Sequence, residues 1–161
     1  MPPDQKIRNN YMSHVKILSW TGQGFIGRAI RFFSSGKVAH SAMQIDGVVY
    51  ESIQFVGVQK WDRLDLPKGR VEPCEELILE VTQEQKEKLL EFWESILGKP
   101  YDYLSVLRFI SRKRETDSTK DKYFCSEAVC EACEYAGVPL FERVDASLIP
   151  PSWVRRSHRL K

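Results

Sequence analysis

The sequence is short of the features that would commit it to a membrane or to nucleic acid. No continuous apolar run stands behind the charges of the amino-terminal stretch MPPDQKIRNNYMSHVKILSW, so neither a signal peptide nor a transmembrane segment is expected, and a cytoplasmic location is. Neither sign of charge is in large excess: 24 basic and 22 acidic residues leave +2, which exerts no general pull on nucleic acid, and none is expected as a partner. The basic runs SRKRETDSTKDK (111–122) and RRSHRLK (155–161) are read as a solvated loop and a solvated tail. Histidine is scarce, with only His14, His40 and His158. Cysteine is scarce too, and Cys125, Cys130 and Cys133 fall within nine residues of one expected helix, which suits reduced thiols better than a disulfide framework. Cys130 and Cys133 form a C-x-x-C pair without a second pair at zinc-site spacing, so both are read as structural, and no metal or cofactor is expected. There is no internal repeat and no low-complexity tract.

What is present reads as one domain over residues 1–161, with 1–14 and 155–161 as flexible ends and 111–122 as a mobile loop; 161 residues with 42% hydrophobic content suffice for a core. VKILSW (15–20) has the composition of a buried strand, and FIGRAIRFF (25–33) that of a helix with Phe25, Ile26, Ala29, Ile30 and Phe33 on one side. VAHSAMQI and VVYESIQF flank Asp46-Gly47, a dipeptide that readily supplies the positive φ angles of a type I′ turn, and so predict a hairpin. Strands follow around 56–59 and at LILEV (77–81), with a Pro- and charge-containing loop between them. Thr82 and Gln85 have capping-box spacing ahead of a helix that turns Leu89, Leu90, Trp93, Ile96 and Leu97 inward, and a further helix is expected from about Asp102.

In YFCSEAVCEACEYAG, helical stepping places Cys125, Ala128, Val129, Ala132 and Ala136 on one stripe and Glu127, Glu131 and Glu134 opposite, with Gly137 closing the helix. A thiol at the first position sits among unpaired backbone N–H groups, where the helix end favours the thiolate. A small buried packing residue is the alternative reading of the same cysteine. A nucleophilic cysteine requires a base, and His40 is the histidine in a rigid setting. A two-residue turn pairs Ile45 with Val48, hence Ala42 with Glu51 and His40 with Ile53. His40 and Glu51 are then diagonal neighbours on one face, within reach of a hydrogen bond; a slip of one residue would separate them.

These pieces, in this order, resemble the circularly permuted branch of the NlpC-type papain-like cysteine hydrolases, related to YiiX-like proteins and to lecithin retinol acyltransferase-like enzymes. GFIGRAIRFFSSGKVAHSAMQIDGVVYES is similar to the family's helix, histidine strand, turn and acid-bearing strand; LGKPYDYLSVL resembles its Gly-x-x-Tyr-Asp segment, and YFCSEAVCEACEYAGV its nucleophile helix. The resemblance spans Val15 to Val138 and implies an α+β, permuted papain-like fold, an antiparallel sheet packed against the nucleophile helix. It implies Cys125 as nucleophile, His40 as general base and acid and Glu51 as the orienting residue.

The expected chemistry is amide hydrolysis through a Cys125 thioester on a peptide or acyl-amide substrate, cell-wall peptides included. The backbone N–H of Cys125 serves as an oxyanion donor, with Tyr123 and Ser126 as further candidates. Trp20, Phe32, Phe33 and Phe55 are candidates for an apolar cleft and equally for core packing. The alternatives are a lipid acyl hydrolase or acyltransferase of the same fold, a catalytically silent peptide- or acyl-binding module, and a metal-binding regulator built on His40, Glu51 and Cys125 or on the C-x-x-C pair.

Overall fold

The computed structural model describes residues 12–22, 25–103 and 121–161. A five-stranded antiparallel sheet is built from β1 (Met12–Trp20), β2 (His40–Ile45), β3 (Val48–Ile53), β4 (Gly57–Asp62) and β5 (Glu75–Thr82), in spatial order β4-β3-β2-β1-β5. The described helices are α1 (Phe25–Ser34), α2 (Gln83–Ile96), α3 (Cys125–Tyr135) and the short α4 (Pro151–Val154), with a 3₁₀ turn at Ala146–Leu148. The architecture is therefore mixed α and β with an antiparallel sheet. The helix expected from about Asp102 and most of the expected loop 111–122 lie outside the described residues.

Alternation along the strands divides the sheet into two faces. One carries Val15, Ile17, Met43, Ile45, Tyr50, Val58, Leu79 and Val81, all buried in the main core together with Leu89, Trp93 and Ile96 of α2 and Ala128, Val129, Cys130, Ala132 and Cys133 of α3. The other carries a smaller cluster of Leu18, Trp20, Ala42 and Val49, with Trp61 packed against it. Register follows the turn: Asp46 and Gly47 both have positive φ, 48° and 86°, and Ile45 pairs with Val48, Gln44 with Val49 and Met43 with Tyr50. Helix α2 opens on the expected capping box, with Gln85 N donating to Thr82 Oγ1 at 3.2 Å and Thr82 N donating to Gln85 Oε1 at 2.9 Å.

Several expectations are corrected. Residues 155–161 are no loose tail: Leu160 bridges Leu79, Lys161 and Ile78 exchange backbone hydrogen bonds, and Arg155 pairs with Glu75, so this segment covers the outer edge of β5. Met12, Ser13 and His14, placed in a flexible end, belong to β1. Phe33, grouped with Ile30 on one side of α1, is half exposed, whereas Ile30 is buried. Glu127, expected on a solvated face, is fully buried, because α3 is covered on its far side by the 3₁₀ turn and α4; its carboxylate accepts from Phe124 N at 3.1 Å and so caps the helix. Cys130, which helical stepping puts off the stripe of Cys125, Ala128, Val129, Ala132 and Ala136, is buried as well.

The turn between β3 and β4 anchors the segment that will matter for the site. Val58 N donates to Lys99 O at 2.8 Å and Gly98 N to Val58 O at 2.9 Å. Gly57, at φ 91°, lies so close to this segment that a Cβ would fall 2.3 Å from Lys99 O. Gly57→Ala combines a left-handed φ with a backbone clash and should cost about 3 kcal/mol, read as a lowered urea midpoint with unchanged slope.

Candidate active site

The site begins with a buried carboxylate. Glu51, in the middle of β3, is fully buried, and its two oxygens receive four donors. Oε2 is bound by His40 Nε2 at 2.7 Å and by the Arg70 guanidinium. Oε1 accepts from Gln59 Nε2 and from Trp61 Nε1, each at 2.9 Å. His40, Glu51, Gln59 and Trp61 share one sheet face by the pleat of three neighbouring strands: Glu51 lies opposite Gln59, and Val49 opposite Trp61.

Arg70 arrives differently. Residues 63–74, between β4 and β5, cross the small-cluster face of the sheet as a strap. It is tied down by Trp20 Nε1 donating to Val71 O at 2.8 Å and Cys74 N donating to Ser19 O at 2.8 Å. The guanidinium lies 5.3 Å from the Trp20 ring centre and 5.7 Å from that of Trp61, a cation held between two indoles. Trp20 also leans on His40, ring centres 5.4 Å apart, which fixes the imidazole from its other side.

An ionised, acceptor-only Glu51 makes His40 Nε2 a donor, which leaves Nδ1 for the thiol of Cys125. The thiol is brought there by a second backbone pairing: Tyr123 N donates to Pro100 O and Asp102 N to Tyr123 O, both at 3.1 Å, and Ser52 Oγ ties Tyr123 O to β3 at 2.6 Å. Cys125 then opens α3 in a small cluster with Ile30, Ala39, Tyr101 and Phe124. Thiol and imidazole meet at the end of the sheet: α3 covers the main-core face, while His40 stands on the opposite face at the first residue of β2.

Burial works against a charged imidazole, but the hydrogen bonds to Cys125 and Glu51 and the negative charge at both outweigh it, raising His40 from 6.5 to about 9. Burial would likewise raise Glu51, but the His40 hydrogen bond and charge, then Arg70 and Gln59, lower it from 4.5 to about 2. Tyr101 is pushed far above the ordinary phenol range by burial and by the charge at Cys125, so it keeps its proton and remains a donor.

A cavity of about 410 Å³ opens beside these groups, lined in part by Trp20, Ala39, His40, Ile53, Phe55 and Tyr101. Cys125 itself is 1% exposed and is absent from the lining; Ala39 and Tyr101, which pack with it, form the wall.

His40, Glu51 and Cys125 are thus brought together. Tyr123 and Ser126 are not brought to the cavity: the Tyr123 ring packs on Phe92 in the main core, and Ser126 Oγ spends its proton on Ile149 O at 2.6 Å. Neither is therefore placed for the oxyanion role expected of it, whereas Tyr101, of the Gly-x-x-Tyr-Asp segment, lines the cavity. Gln59, Trp61 and Arg70 escaped the sequence reading. For Gln59 and Trp61 a signal existed, since strand alternation in β4 puts them on the Glu51 face; for Arg70 there was none in the irregular strap.

The linkage signs differ for the two charged partners. His40, raised on folding, contributes stability that is complete below pH 6.5 and is lost as pH climbs through about 9. Glu51, lowered on folding, contributes stability that is complete above pH 4.5 and is lost as pH falls towards about 2. Arg70→Gln removes one cation from a buried carboxylate and should cost about 3 kcal/mol, while moving the acid-side loss to higher pH. Denaturation midpoints across pH 2–10 would check both, and NMR titration of His40 in Glu51→Gln should show its value falling from about 9.

No family model matches the chain, and no curated protein sequence does. Among solved structures, the metalloprotein yiiX from Escherichia coli O157:H7 superposes with a TM-score of 0.61, covering 91% of this chain and 93% of that one at 17% identity. The likeness is one of fold: the chain has a yiiX-like arrangement of helices around an antiparallel sheet.

Proposed function

We propose that the protein is a cysteine hydrolase of permuted papain-like fold that cleaves an amide bond through a thioester at Cys125. The observation that carries this reading is the His40–Glu51 pair, bonded at 2.7 Å, with the Cys125 thiol near enough to His40 to help raise its pKa. His40 Nδ1 takes the thiol proton, and the thiolate attacks the carbonyl carbon. As the C–N bond breaks, the imidazolium returns that proton to the amine. His40 then takes a proton from water, hydroxide attacks the thioester, and the sulfur leaves as thiolate. Glu51, ionised throughout, holds the tautomer. The Cys125 backbone N–H, unpaired within its helix, and the Tyr101 hydroxyl are the donors for the oxyanion. Attack requires the carbonyl within about 3–3.5 Å of the sulfur, so the Ala39 and Tyr101 wall must part when substrate binds.

The cavity lining also favours a second reading of the substrate. Trp20, Ile53, Phe55 and Val71 are apolar and suit an acyl chain, which makes an acyl ester an alternative to a peptide amide. A metal-dependent reading, prompted by the description of yiiX as a metalloprotein, fits poorly. Both Glu51 oxygens are occupied by donors and one faces the Arg70 cation, and no group of three or more His, Cys, Asp or Glu suited to a metal occurs among the described residues.

Site-resolved alkylation with limiting iodoacetamide across pH 5–9 should modify Cys125 faster than the exposed Cys74, and His40→Ala should remove the difference. Cys130 and Cys133, whose thiols are pushed up by burial, should stay silent. Turnover of matched acyl amides and acyl esters should fall about 10³-fold or more in Cys125→Ser, and decline as pH rises through about 9, where the His40 acid is lost. A Cys125 no faster than Cys74, with no turnover of either series, would return the protein to the silent binding-module reading.

A further inference from the structure

The small net charge conceals a sharp segregation. Residues 5–45 contain no aspartate or glutamate, and neither do residues 146–161. Together these two stretches hold ten of the 24 basic residues and none of the 22 acids, so the rest of the chain has 14 basic residues against all 22 acids. In space the two stretches meet, because α4 packs against α1.

Part of this charge is absorbed: Arg155 pairs with Glu75, Lys161 with Glu80 and Lys16 with Glu76. The part around α1 is not. Among the described residues, Arg28, Arg31 and Lys37 form no ion pair, and they line a shallow open depression with Thr21, Phe32 and Gly36. Arg156 likewise has no acidic partner among the described residues; its guanidinium lies 6.0 Å from the Trp153 ring centre.

The same region exposes large apolar rings. Phe32 is 79% exposed, Phe33 50% and Trp153 44%. Solvent-facing aromatics side by side are costly to leave in water and mark a contact surface. Thr21 lines both this depression and the cavity beside His40, so the surface adjoins the mouth of the candidate active site.

We propose that the outer face of α1 and α4 docks on an anionic lipid bilayer, with Phe32, Phe33 and Trp153 entering the headgroup and acyl boundary and Arg28, Arg31, Lys37 and Arg156 meeting lipid phosphates and carboxylates. Cations interleaved with apolar rings on a helix are the composition that binds such an interface, and neither α1 nor α4 carries an acid of its own that lipid phosphates would repel. A single-stranded nucleic acid fits less well. Phe32 and Phe33 pack edge to face at 88° with ring centres 5.3 Å apart, so they offer no parallel platform on which successive bases stack. The proposal is independent of whether the neighbouring site turns over.

The test is flotation of the full chain with vesicles of phosphatidylcholine alone and with about a third of phosphatidylserine, at low and high salt. Binding should require the anionic lipid and weaken with salt. Phe32→Ser/Phe33→Ser and, separately, Arg28→Gln/Arg31→Gln should each bind at least about tenfold more weakly, the charge pair on the basis of about 1 kcal/mol per cation. Because all four side chains stand at the surface of α1, thermal unfolding should be unchanged; if one variant fails to fold, the other still decides. The proposal is overturned if the wild type ignores anionic vesicles, if it binds neutral ones equally, or if both variants bind as the wild type does. It is equally overturned if a single-stranded oligonucleotide displaces the protein from vesicles and binds the Phe variant undiminished.

Discussion

The buried carboxylate of Glu51 is the constraint around which this structure is arranged. A charge with no access to water must be neutralised and hydrogen-bonded within the protein, or it must give up its ionisation. Here both oxygens are saturated by an imidazole, an amide, an indole and a guanidinium drawn from β2, β4 and the strap. Removing any one leaves a lone pair stranded in a medium that cannot solvate it. The strand register, the strap's path across the sheet and the seating of Trp20 all serve that requirement, and the His40 tautomer follows from it.

The two faces of the sheet divide the labour. The main core of aliphatic side chains with Tyr50 and Trp93 gives the molecule its rigidity and carries α3. The opposite face is small and rich in indole, and among the described residues the chain that crosses it is the irregular strap. That cover brings a fixed cation to the carboxylate while leaving room for a cavity beside His40. A helix there would have filled the space with its own side chains. The raised His40 and lowered Glu51 are two views of one interaction, in which each group stabilises the charged form of the other against the burial that opposes both.

How much of this could be read from the residues depends on whether a feature has a period. Asp46-Gly47 fixes a two-residue turn, so the facing of His40 and Glu51 followed by counting; the three pairs next to the turn have the expected register, and His40 and Glu51 meet at 2.7 Å. Thr82 and Gln85 announced α2, and Gly137, at φ 73°, closes α3 as expected. Arg70 could not be found this way, since no repeat relates an irregular strap to the strands beneath it. Glu127 misled because helical stepping says which residues share a face but not how many faces are covered. Tyr123 and Ser126 misled because adjacency to the cysteine in sequence is not adjacency to it in the cavity; the carbonyls of Tyr123 and Ile149, accepting from Ser52 and Ser126, show both residues committed to holding α3 in place.

One feature of connectivity reaches beyond the site. The buried carboxylate and the groups bonded to it, from His40 through Glu51, Gln59 and Trp61 to Arg70, come from one continuous stretch of chain, whereas the thiol comes from another that is tied to it where Ser52 Oγ donates to Tyr123 O. Each stretch carries its own local geometry, and what joins them is surface complementarity rather than the peptide bonds between. The order in which a gene strings the two together is then a matter of indifference to the chemistry: a rearranged chain that opens with the thiol helix and closes with the imidazole hairpin could rebuild the same cluster, provided its new ends fell on exposed loops.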